Sequence, residues 1–174
     1  MPQIAASLSA AACLLVLAGG AWAKSSDRNQ PMDIDANSSN CSIGDNSPCV
    51  FSGNVHIVQG TLDIRAAKAD VRRGGGDIQR VIITGSPARL SQGLDNGGTM
   101  TASASTVEYD MPRETVIFTG NVRIEQAGRG AMSGPRIVYN MQTGQVQGGG
   151  GEGGGQIRTR ILPRAAQGNK QGSD

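Results

Sequence analysis

Few side chains in this 174-residue sequence are spaced for covalent chemistry. Two acid pairs, Asp33/Asp35 and Glu108/Asp110, lie two residues apart, so on extended strands each pair shares one face. Paired carboxylates are the machinery of a glycoside hydrolase, so a polysaccharide-acting β-solenoid enzyme is one reading. Both pairs fall on the polar phase of their alternation, which favours solvated surface over an active site. His56 is the only histidine and also occupies a polar slot. No GxSxG, HExxH, GxxxxGK[ST] or strand–GxGxxG–helix pattern is present. The expectation is a non-enzyme with no catalytic residue, no cofactor and no metal.

The cysteines call for a different chemistry. Residues Met1 to Ala23 hold no Asp, Glu, Lys or Arg, and an apolar run from Ala10 to Gly20 leads into Ala21-Trp22-Ala23, a small-x-small cleavage pattern. The run is short for a membrane span, although an uncleaved anchor is the alternative. Residues 1–23 therefore read as a cleavable export signal, and residues 24–162 as a single domain. Cleavage removes Cys13 and leaves Cys41 and Cys49, eight positions apart, in an oxidising compartment. A local disulfide is the leading reading; a metal site would need more ligands than one His and no CxxC can offer.

Composition narrows the class further. Sixteen basic against fourteen acidic residues give a net charge of +2, with no basic run to suit nucleic acid. Twenty-six Gly argue against helical bundles, and 37% hydrophobic residues at 17% charge do not describe a disordered chain. Residues 163–174 are polar, without periodicity, and read as a disordered tail.

The elements that must position everything else are strands. Apolar and polar residues alternate through Thr106–Met111, Asn121–Glu125, Arg136–Tyr139 and Gln156–Ile161. Turn signals separate them at Gly74–Asp77, Asp95–Gly98, Met111–Glu114 and Asn140–Gly144. Val50-Phe51-Ser52-Gly53-Asn54-Val55-His56-Ile57-Val58-Gln59 repeats as Ile117-Phe118-Thr119-Gly120-Asn121-Val122-Arg123-Ile124-Glu125-Gln126, with a weaker copy at Ile82–Leu90. A second strand type starts at positions 31, 61, 99 and 130, so the period is 30 to 38 residues, that of stacked units sharing one core. The Gly-Asn pair tolerates positive φ and is read as a kink in a continuous strand, with a plain hairpin turn as the alternative.

In this register one face collects Met32, Ile34, Val55, Ile57, Leu62, Ile64, Leu90, Val107, Tyr109, Met111, Val116, Phe118, Val122, Ile124, Ile137, Tyr139, Ile157 and Ile161. The bland reading is a filled core. Only two Tyr and two Phe remain after the signal, however, so an aliphatic hollow running from mouth to mouth is the functional expectation.

The same residues carry a resemblance. Gln30–Ile34, Phe51–Val55 with Gln59–Ile64, Gly85–Gln92 and Phe118–Val122, in that order behind an export signal, resemble the OstA-like family from about Gln30 to Leu162. The resemblance implies an all-β, twisted antiparallel jelly roll, open at both ends, in the periplasm. It implies that Met32, Ile34, Val55, Ile57, Leu62, Ile64, Leu90, Val107, Tyr109, Met111, Phe118, Val122, Ile124 and Tyr139 face lipopolysaccharide acyl chains. It further implies head-to-tail oligomers, joined by edge-strand addition to inner-membrane-anchored and outer-membrane components of a lipopolysaccharide transport machinery. Two features depart from the family pattern: the Cys41–Cys49 segment and the Gly-rich run 148–155. Thirteen Arg against three Lys fit phosphate recognition at the groove mouth, but a codon-usage bias explains the ratio equally well and alternation puts most of them on the wet face; Arg65, Arg89 and Arg136 stay unranked. A structural adaptor that pairs sheet edges without carrying lipid is the rival reading.

Overall fold

The computed structural model describes residues 25–95, 97–149 and 155–163; the segment read as an export signal, most of the Gly-rich run and nearly all of the tail lie outside them. After a 3-10 turn, Ser25–Asn29, the described residues form ten strands: β1 Met32–Asp35, β2 Ser38–Cys41, β3 Cys49–Gln59, β4 Leu62–Gly74, β5 Asp77–Gly93, β6 Thr99–Asp110, β7 Thr115–Gln126, β8 Gly130–Asn140, β9 Val146–Gly148 and β10 Arg158–Ile161. All belong to one antiparallel sheet in which β3 to β8 follow each other as hairpins.

Each long strand is bent at the same level. The register shifts between Ser52 and Val55, Arg65 and Lys68, Thr84 and Ala88, Ser103 and Thr106, and Thr119 and Val122. These irregularities align across the sheet as a seam that divides it into two halves. The repeated Gly-Asn pairs sit on it: Gly53 and Asn54 have φ of 77° and 48°, Gly120 and Asn121 of 80° and 48°. Two successive residues in this region redirect a strand without ending it, which is the kink expected from the sequence. At Gly120 a Cβ would lie 2.7 Å from Ser105 Oγ, so the neighbouring strand leaves no room for a side chain.

The repeat is thus one bent hairpin that adds two rungs to each half. β1 and β2 continue the two halves at one end, pairing with opposite ends of β3. β10 and β9 do the same on β8 at the other end. Each half has eight rungs, and seven gaps of about 4.8 Å make the molecule roughly 34 Å long. Both ends are open sheet edges.

Between the halves lies the core: Phe118, Ile57, Ile137, Val55 and Val122 are its largest fully buried side chains. Alternation sets this burial, but its phase flips at the seam. In β5, Val81 and Ile83 point inward before it, and Ala88 and Leu90 after it; in β6 the sets are Ala102/Ala104 and Val107/Tyr109. Cys41 and Cys49 stand directly opposite each other and form the expected disulfide. It ties edge strand β2 to β3 across a short loop, a closure worth about 2–3 kcal/mol.

Candidate functional site

The apolar faces of the two halves do not meet along their whole width. Near the seam Val55, Ala69, Ala88, Ala104, Val122 and Ile137 are all 2% exposed or less, and the interior is packed shut. Away from the seam the halves diverge around a cleft of about 830 Å³ that opens to solvent. The hollow expected to run from mouth to mouth is therefore partial. Small alanines stand at the seam, whereas longer Ile, Leu, Met, Phe and Tyr side chains line the cleft.

One wall of the cleft is built by Met32, Ile34, Ile57, Leu62, Ile64, Leu90 and Met100, the other by Val81, Ile83, Val107, Tyr109, Val116, Phe118, Tyr139 and Met141. Strand pairing aligns the walls: Ile34 faces Ile57, Ile57 faces Ile64, and Ile64 faces Leu90 in register, while Val107, Phe118 and Ile137 form a matching row opposite. Three methionines at the rim supply flexible thioethers that can repack around an irregular guest. The polar groups in the lining are those of Asp27, Gln59, Gln92 and the two tyrosines.

Of the interior residues read from sequence, Met32, Ile34, Ile57, Leu62, Ile64, Leu90, Val107, Tyr109, Phe118 and Tyr139 line the cleft. Val55, Val122 and Ile124 are buried but belong to the packed region outside it. Met111 is a correction: it lies beyond the end of β6, in the 111–114 turn, and lines nothing. Ile161 is another, 81% exposed on edge strand β10. Val81, Ile83, Met100 and Met141 were missed, the first two because an unbroken run Val81-Ile82-Ile83 has no phase to read.

The polar residues are engaged elsewhere. His56 Nε2 lies 2.7 Å from Asp63 Oδ2 on the outer wall. Arg65 and Arg89 stand opposite each other on that wall, Arg136 is half-buried next to the seam, and none of the three lines the cleft. Glu108 pairs with Arg80 at 3.3 Å. Asp110, expected on the wet face, is buried at the end of β6, where its carboxylate accepts hydrogen bonds from the Arg113 backbone N–H at 3.1 Å and guanidinium at 2.7 Å. Asp33 and Asp35 share the exposed face of β1, on the outside of the sheet and away from the cleft.

The Arg113 hydrogen bonds hold the Asp110 carboxyl below its ordinary range. A depressed folded value stabilises the protein above the unfolded value, and that contribution fades as pH falls through the folded one. Asp110→Asn should therefore lower the melting temperature at pH 7 but much less at pH 2. An equal loss at both would exclude the ionic contribution.

Comparison with known proteins agrees with this geometry. Residues 33–145 match the family described as LptA/(LptD N-terminal domain) LPS transport protein. The lipopolysaccharide export system protein LptA of Escherichia coli K12 is 31% identical over 147 residues, covering 83% of this chain and 78% of that protein. The protein of the same name from Haemophilus influenzae is 28% identical over 159 residues, covering 90% and 91%. In structure, the chain resembles LptH of Pseudomonas aeruginosa, the LptA homologous periplasmic component of a lipopolysaccharide transport device, with a TM-score of 0.71 at 23% identity, covering 79% of this chain and 99% of that one. The chain belongs to the LptA/LptD N-terminal domain family of lipopolysaccharide transport proteins.

Proposed function

We propose, from that membership, that this protein is a periplasmic lipopolysaccharide carrier: its cleft takes up acyl chains, and copies join end to end to bridge the inner and outer membranes. The observation that carries the reading is the cleft between the two half-sheets, open to solvent and lined mostly by apolar side chains. Each acyl CH₂ left in water costs about 0.8 kcal/mol, so a multiply acylated lipid needs a continuous apolar surface to cross an aqueous space. An open-sided cleft meets that need without chemistry and leaves a bulky sugar head in solvent. Methionines at the rim and a core of small aliphatic residues allow the walls to part around a chain.

The ends support the second half of the proposal. A molecule of roughly 34 Å is short for a bridge. Its terminal strands expose unpaired backbone groups, which a second copy, or a membrane-anchored partner with the same fold, can extend. Joining unlike ends does not close on itself and produces filaments. The Cys41–Cys49 disulfide holds β2 in place at one such edge.

Photocrosslinking tests the cleft directly. A photoreactive residue at Ile34, Leu90 or Tyr109 should trap lipopolysaccharide in cells, whereas one at outward-facing Arg65 or Arg123 should not. Equal labelling from both sets would favour an adaptor that merely pairs edges. Mass spectrometry of retained lipid, with the size distribution of the purified protein against concentration, separates carriage from assembly.

A further inference from the structure

The 3-10 turn at Ser25–Asn29 does not hang free before β1; through Asp27 it contributes to the lining of the cleft. Asp27 is 4% exposed, an uncommon state for a carboxylate, and it lines the cleft alongside Met32, Leu62 and Met100. Its Oδ2 accepts a hydrogen bond from Thr61 Oγ1, in the β3–β4 turn, and a longer one of 3.5 Å from Gln92 Nε2 on β5. Thr61 Oγ1 in turn accepts from the Gly93 N–H at 3.1 Å, and Gln59 Nε2 donates to the Gln30 carbonyl at 3.1 Å. The β3–β4 turn is shaped to receive this segment. Gly60 adopts φ 59°, and a Cβ there would collide with the Asp27 carboxylate.

We propose that residues 25–30 form an autoinhibitory latch, with Asp27 clasped by Thr61 and Gln92, that must lift before an acyl chain enters the cleft. The inference rests on the lipid-carrier reading above. Its physical basis is that every bond in the clasp is polar and lies at the edge of an apolar surface. An incoming chain competes for that surface, while the released carboxylate, hydroxyl and amide all regain water. A latched mouth lowers the apparent affinity by the fraction of molecules that are open.

The test uses fluorescently labelled lipopolysaccharide and the full mature chain. Asp27→Ala removes the acceptor and should tighten binding about tenfold, the factor expected for hydrogen bonds to a charged group. Gln92→Leu, which keeps the rim apolar, should act in the same direction. Asp27→Asn keeps a weaker, neutral acceptor for Thr61 and should tighten binding less than Asp27→Ala does; if it matches Asp27→Ala, the hydrogen bonds do not hold the segment and the latch is wrong. In the unmodified chain, amide hydrogen exchange across residues 25–30 should be slow and should accelerate on adding lipopolysaccharide. Unchanged affinity in the variants with unchanged exchange would overturn the latch and leave the carrier reading intact. Failure of every form to bind lipopolysaccharide would overturn the carrier reading itself.

Discussion

Leu90→Asp is expected to abolish lipid retention while the sheet still folds. Leu90 is only partly buried in the cleft wall, in register with Ile64 on one side and Ala102 on the other, so a carboxylate there keeps some access to water in the lipid-free protein. An acyl chain laid over it would strip that water away. The cost of an unpaired buried charge is several kcal/mol, and each 1.4 kcal/mol is tenfold in affinity, so a loss of at least about a hundredfold should follow. Leu90→Met, similar in volume and apolar, should retain lipid. The measurement is lipopolysaccharide co-purifying with each variant, with far-ultraviolet circular dichroism as the fold control. Retention by the aspartate variant would mean that acyl chains do not lie against this wall.

Phe118→Ala should be the most destabilising single truncation in the core. Phe118 is 1% exposed, stands between Val107 and Ile137 in register, and reaches into the cleft wall from the centre of β7. Removing a buried aromatic ring costs about 3–5 kcal/mol, a large part of the 5–15 kcal/mol by which a typical domain is stable. Its chain neighbour Ile117 points the other way and is only partly buried, so Ile117→Ala should cost about 1 kcal/mol. Urea midpoints of the two variants test the register itself. Comparable losses would mean that β7 is shifted by one residue, since a single-residue slip exchanges the two faces.

The bent strand illustrates both the reach and the limit of sequence reasoning. Gly53-Asn54 and Gly120-Asn121 stand out because few residue pairs accept positive φ together, and the repeat places them at equivalent points. The seam, however, also crosses β4, β6 and β8, where residues such as Ala66-Ala67 and Ala104-Ser105 give no such signal. Those strands bend because their neighbours do, and the phase flip that follows is invisible in a single strand. The alanines that close the seam were missed for a related reason: a methyl group carries little hydrophobic signal, although Ala69 and Ala104 are fully buried.

Asp110 and Asp27 show the same boundary among polar residues. Alternation assigns a carboxylate to the wet face, yet Asp110 is drawn inward by an Arg113 that the following turn delivers to it. Asp27 precedes the first strand and has no periodicity at all; its partners, Thr61 and Gln92, lie 34 and 65 residues away.

The amino-acid sequence by itself determined the all-β class, the hairpin repeat, the cystine and most of the inward-facing residues. These follow from the two-residue period of a strand, the torsional freedom of Gly and Asn, and the pairing of thiols in an oxidising space, all of which act over short stretches of chain. Only the tertiary structure decided how much of the interior is open and what stands at its mouth. That outcome depends on how closely two half-sheets approach across the seam, a distance set by side chains from different strands at once.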